Sequence, residues 1–175
     1  VFGDMNKAVF LDRDGTVIEH VHYLKNANDV RLVSNCAEAL KLARNAGYLL
    51  IVISNQSIVG RETGTSAEVN ACNARMRDLL RAEGVELDLV LFCPHTPEDG
   101  CGCRKPRPGM LVKAAEDLAI DLAESVMIGD NVTDMEAGEN AGCRLNLYLN
   151  TREARGDRAC FDTLLSAVEY ALSSC

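Results

Sequence analysis

The sequence predicts an α/β fold, a Rossmann-like doubly wound parallel sheet, and three observations predict it. Short apolar runs alternate with helix-length stretches along most of the chain. Gly47, Gly84 and Gly142 stand where a helix must stop and turn back. Polar residues gather just after four of the apolar runs, the edge at which open parallel sheets bind ligands.

The elements follow in order. Residues 8–11, 48–53, 87–92, 125–128 and 145–149 are apolar runs of strand length, as expected where both faces of a sheet are covered. Between them, residues 36–45, 67–83, 110–118 and 135–141 read as helices, with a last one near 161–172. Two connections are longer than such units need, 20–34 and 93–108, and long loops in a small α/β domain are usually functional. A length of 175 residues suits one domain, spanning 1–175, with decorated loops. Residues 1–4, ahead of Met5, are expected to be an added extension.

Composition narrows the function. With 47% hydrophobic and 25% charged residues the chain is ordinary globular material rather than a disordered one. The net charge of −8, with few clustered basic residues outside Arg104, Lys105 and Arg107, excludes a nucleic-acid surface, which needs a basic stripe. No run reaches the roughly 18 apolar residues of a membrane span, and the start has no apolar signal core. A cytoplasmic monomer without membrane partners is expected.

Four groups of residues carry chemistry. Asp12-Arg13-Asp14-Gly15-Thr16 follows the first strand and Ser54-Asn55-Gln56 the second, Arg104-Lys105-Pro106 lies beyond the third, and Gly129-Asp130 with Asp134 follows the fourth. Taken singly, an Asp, Ser or Asn after a strand is as often a helix cap or turn former. Together they deliver Asp12, Asp14 and Asp130 against only Arg104 and Lys105. A phosphate dianion added to that set would be repelled unless a divalent cation joined it, and Mg²⁺ suits one or two carboxylates plus substrate phosphate. Phosphomonoester hydrolysis is slow enough that two displacements through an acyl-phosphate are useful. Asp12 is then the nucleophile and Asp14 the acid that protonates the leaving oxygen and later the base that activates water. Ser54 donates to a phosphoryl oxygen and Lys105 neutralises charge on the nucleophile and the transferring group.

These four groups, with Ser57 extending the second, resemble the four motifs of the haloacid dehalogenase superfamily over roughly residues 8–149. The resemblance implies that Asp12, the main-chain carbonyl of Asp14 and Asp130 hold Mg²⁺.

The 93–108 loop carries a second metal pattern. Cys93-Pro94-His95, then Cys101-Gly102-Cys103, places three thiols and an imidazole within eleven residues, which suits a closed structural Zn²⁺ site in a reducing compartment. Its expected role is to cross-link a polar loop and so position Arg104 and Lys105. Such a loop running into Arg-Lys-Pro resembles one group of the superfamily, the D-glycero-D-manno-heptose-1,7-bisphosphate 7-phosphatases and the histidinol-phosphate phosphatases. The continuation Arg107-Pro108-Gly109-Met110 is closer to the heptose members. The resemblance implies a minimal cap and a small phosphorylated metabolite as partner, a sugar bisphosphate that feeds nucleotide-activated heptose and lipopolysaccharide synthesis. Arg13, His20, Tyr23, Asn55, Gln56, Ser57, Arg104 and Asn131 are expected to border that substrate. Histidinol phosphate, or another small metabolite, is the alternative substrate.

A reading of another class is a phospho-aspartate receiver-like signalling domain, also α/β and also Mg²⁺-binding. Its acceptor and acidic pair come from different strands, whereas here the acceptor candidate Asp12 lies within the pair. A zinc-stabilised binding module would leave the Asp, Ser and Lys set without a purpose.

Overall fold

The computed structural model describes residues 5–149 and 159–174; the residues at 1–4, expected to be an extension, lie outside them. Five parallel strands, β1 (Lys7–Leu11), β2 (Tyr48–Asn55), β3 (Leu89–Cys93), β4 (Val126–Gly129) and β5 (Leu145–Tyr148), form one sheet in the order β3-β2-β1-β4-β5. β1 sits in the middle because its five residues KAVFL are almost wholly apolar and can be covered on both faces. Val9 pairs with Leu50 on one side and Val126 on the other, so Leu11 and Ile128 end side by side at the carboxyl edge.

Among the described residues, five α-helices cover the two faces: α1 (Cys36–Asn45), α2 (Ser66–Ala82), α3 (Gly109–Leu118), α4 (Val132–Ala141) and α5 (Leu164–Ser173). One face buries Val9, Leu11, Leu50 and Val52 under Leu40 of α1, Met76 and Leu80 of α2 and Val168 of α5. The other buries Phe10, Ile51 and Ile53 under Leu111 of α3 and Met135 of α4. Alternate residues of a strand point to opposite faces, so β1 and β2 feed both cores at once. At roughly 1.5–3 kcal/mol for each fully buried large aliphatic side chain, these layers hold the strand ends in fixed register.

The helix at 36–45 falls where the sequence puts it, and Gly47, Gly84 and Gly142 each take positive φ after a helix, as expected. Two boundaries differ in a way that matters. β2 runs on through Ser54 and Asn55, because both still pair with Phe92 and Cys93 of β3. α4 begins at Val132, three residues before the apolar periodicity does, because Asn131 and Asp134 form a capping box that satisfies its first amides.

Candidate active site at the carboxyl edge of the sheet

Asp12 is the first residue past β1, and its amide donates to the Ile128 carbonyl of β4 at 3.0 Å, which fixes it at the sheet's rim. Lys105 reaches it from the long loop after β3. The Lys105 Nζ donates to Asp12 Oδ1 at 2.6 Å and to the Ile53 carbonyl at 2.9 Å, and it lies 2.7 Å from Asp134 Oδ1. With only 2% of its side chain exposed, Lys105 is a buried cation clamped between two carboxylates. Asn55 holds the loop in place by pairing with the Lys105 backbone, Nδ2 to the carbonyl and Oδ1 to the amide, both at 3.0 Å.

The acids outnumber this cation. Carboxylate oxygens of Asp12, Asp130 and Asp134 all lie within 4.8 Å of one another. Burial pushes Asp12 up to about 8, against the pull of Lys105 and with the repulsion of Asp134 and Asp130 adding to it. Burial likewise raises Asp130 to about 6, helped by Asp134 and opposed by His20 and Lys105. Lys105 itself is raised: burial disfavours its charge, but Asp12 and Asp134 together prevail. Three carboxylates around one ammonium leave a net negative centre, which a divalent cation would relieve.

Two glycines permit this convergence. Gly15 has φ 84, and a Cβ there would fall inside the Asp130 carboxylate; a Cβ on Gly129 would fall inside that of Asp134. The donor set is all oxygen, which suits Mg²⁺. Beside it, the buried hydroxyls Ser54 Oγ and Thr16 Oγ1 find no partner among the described residues. An unsatisfied buried hydroxyl is costly unless a ligand is meant to use it, and Ser54, at the end of β2, is where a phosphoryl oxygen was expected.

The remaining expected residues divide into two groups. His20, Tyr23, Ser57, Arg104 and Asn131 line a cleft of about 520 Å³ with the acids at its floor, a volume within the range of about 300–1,000 Å³ common for small-molecule sites. Tyr23 is 51% exposed with φ 51 and packs its ring against that of His22, while Arg104 is steadied by donating to the His95 carbonyl at 3.0 Å. Arg13, Asn55 and Gln56 also border the cleft, but their polar groups have protein partners: Asn55 takes Lys105, Gln56 Nε2 donates to Asp14 Oδ2 at 2.9 Å, and the Arg13 side chain, 1% exposed, is forked onto Asp14. Sequence reasoning gave no role to Asp134, although the Gly-Asp-x-x-x-Asp spacing marked it, and it passed over Asn73 on α2, which binds Arg13.

The 93–108 loop brings four candidate ligand atoms together. Cys93 Sγ lies 3.2 Å from Cys103 Sγ and 3.5 Å from Cys101 Sγ, and His95 Nδ1 lies 3.4 Å from Cys103 Sγ. Tetrahedral Zn–S bonds of about 2.3 Å would set the sulfurs roughly 3.8 Å apart, so the group needs only slight expansion to hold an ion.

Comparison with known proteins finds relatives of most of the chain. A D-glycero-beta-D-manno-heptose-1,7-bisphosphate 7-phosphatase of Haemophilus influenzae is 35% identical over 153 residues, 84% of this chain and 83% of that one. The chain belongs to the haloacid dehalogenase superfamily. Its residues 102–163 match the family model described as HAD-hyrolase-like. A D-glycero-alpha-D-manno-heptose-1,7-bisphosphate 7-phosphatase of Photorhabdus laumondii is 36% identical over 143 residues, 78% of each chain. The crystal structure of D,D-heptose 1,7-bisphosphate phosphatase from B. bronchiseptica, complexed with magnesium and phosphate, superimposes with a TM-score of 0.85 at 28% identity, covering 97% of this chain and 99% of that one. Among the described residues, no helix is long and apolar enough to cross a membrane.

Proposed function

We propose that this superfamily member is a D-glycero-D-manno-heptose-1,7-bisphosphate 7-phosphatase, a hydrolase that removes one phosphate from a sugar bisphosphate through an aspartyl-phosphate on Asp12. The observation that carries the reading is the Asp12–Lys105–Asp134 clamp opening on a cleft whose floor has an excess of carboxylates. Relatives named for this activity, similar over about four-fifths of the chain, support the substrate class.

In this reading Asp12, the Asp14 carbonyl and Asp130 hold Mg²⁺, which supplies positive charge to the phosphoryl oxygens when bound. Asp12 attacks phosphorus while Lys105 holds its carboxylate in place and takes up charge as it builds. Ser54 Oγ donates to a phosphoryl oxygen. Asp14 gives its proton to the departing sugar oxygen, then withdraws one from the water that opens the aspartyl-phosphate. His20, Tyr23, Ser57, Arg104 and Asn131 contact the sugar and its second phosphate from the cleft walls. Cys93, His95, Cys101 and Cys103 would hold Zn²⁺, which would tie the loop that carries Arg104 and Lys105. All of this needs one domain, acting as a monomer in the reducing cytoplasm. There it would feed the heptose used in lipopolysaccharide.

Phosphate release from both anomers of heptose bisphosphate, from histidinol phosphate and from common sugar phosphates tests the proposal, with Asp12→Asn as the control. The heptose bisphosphates should lead by at least about tenfold in kcat/KM, a difference of about 1.4 kcal/mol in transition-state binding. Equal, slow release from every compound would remove the heptose assignment, and turnover by Asp12→Asn would remove the nucleophile.

A further inference from the structure

Helix α2 packs its buried stripe, Val69, Cys72, Met76 and Leu80, against the sheet, and one amide interrupts it. Asn73 is 6% exposed, and its Oδ1 accepts from Arg13 Nη1 at 2.9 Å. Arg13 in turn applies the other edge of its guanidinium to Asp14, Nε to Oδ2 at 3.0 Å and Nη2 to Oδ1 at 3.2 Å. Gln56 Nε2 adds a third donor, on Oδ2, at 2.9 Å. A forked guanidinium binds a carboxylate in one plane, so this chain of contacts fixes where the Asp14 carboxylate lies and how it is turned.

Arg13 is fully buried, and the guanidinium edge that Asp14 leaves free needs a polar partner there. Asn73 holds that edge from 60 residues away, on an element anchored by the core.

We propose that Asn73 and Arg13 are positioning residues for proton transfer by Asp14. They set the carboxylate's orientation before substrate arrives, so that Asp14, once it has taken up a proton from solvent, faces the leaving oxygen. The proposal rests on the reading of Asp14 as the acid and base. A misplacement of about 1 Å in such a group can cost on the order of 10²-fold in rate.

The test uses the full chain, loaded with Mg²⁺ and Zn²⁺, and compares kcat/KM on two kinds of phosphate ester. A sugar phosphate leaves as a basic alkoxide and needs the proton; p-nitrophenyl phosphate leaves as a weakly basic phenolate and does not. Because kcat/KM reports the steps through departure of the leaving group, the later hydrolysis does not blur the comparison. Asn73→Leu should lose roughly 10- to 100-fold on the sugar phosphate and less than about threefold on the aryl ester. Asn73→Asp, which keeps the acceptor oxygen, should recover most of the lost rate. Should Asn73→Leu fail to fold, Arg13→Lys, which keeps the buried cation but not the fork, must show the same selective loss. Equal losses on both esters in a folded variant would make the contact a structural one only and overturn the proposal. Asp14→Asn separates the two ideas. If it spares the aryl ester while Asn73→Leu and Arg13→Lys do not discriminate, the positioning role fails and the acid survives. If Asp14→Asn itself does not discriminate, the acid assignment fails first.

Discussion

Replacing Lys105 with Met tests the electrostatic core of the site. The substitution keeps a side chain of comparable length in the buried channel but removes the ammonium that lies 2.6 Å from Asp12 and 2.7 Å from Asp134. At an effective dielectric constant near 20 each contact is worth about 6 kcal/mol in gross Coulomb energy. Most of that is offset by the cost of having buried the ammonium, and breaking a buried pair by removing one partner costs about 3–5 kcal/mol net. For a chain of this size that is a fall in Tm of roughly 6–20 °C. The sign of its pH dependence follows from the acids left behind. Without Lys105 the buried carboxylates hold protons more tightly than they do in the unfolded chain, where they titrate near pH 4. The variant is therefore least damaged at low pH and loses stability as pH rises. Melting without added metal at pH 5.5 and pH 8 should show the larger deficit at pH 8, and kcat should fall at least about 10²-fold. A variant melting within about 2 °C of the parent at both pH values, or keeping its kcat, would refute the clamp.

Mg²⁺ and pH should be linked through the raised Asp12 and Asp130, at about 8 and about 6. In the metal-free protein these groups contribute stability that is complete below about pH 4 and lost as pH climbs through 6 and then 8. Metal ligation needs them ionised, so Mg²⁺ should bind more tightly and raise Tm further at pH 8 than at pH 6, with protons released into the buffer; calorimetry showing one affinity at both pH values and no proton release would contradict this. Metal analysis should find about one zinc per chain, and Cys103→Ser should lose it, lower Tm and reduce kcat, since Cys103 lies only two residues from Lys105. Zinc-free protein with full activity and unchanged melting would show that the loop needs no ion.

Much of the site was legible because a parallel sheet turns chain position into spatial position. A residue just after a strand must lie at the carboxyl edge, so Asp12, Ser54 and Asp130 could be assembled on paper from their local context. The cysteine loop was legible for a related reason: its four ligands lie within eleven residues and need no tertiary information to meet. Arg13 was harder to read. An arginine beside a cleft suggests a substrate contact, and nothing in its neighbourhood announces that Asn73, on a helix beyond the second strand, will take one edge of its guanidinium.

Asp134 shows why helix starts and catalytic contacts can be confused. Its Oδ2 accepts from the Asn131 amide at 3.0 Å and closes the capping box, while Oδ1 holds Lys105 at 2.7 Å. Apolar periodicity begins only at Met135, so a reading by periodicity puts the helix start after the residue that creates it. The same carboxylate fixes the origin of α4 and the height of Lys105 above Asp12. The cap is therefore part of the proposed catalytic geometry: moving the helix start would move the ammonium, and with it the Asp12 oxygen proposed to attack phosphorus.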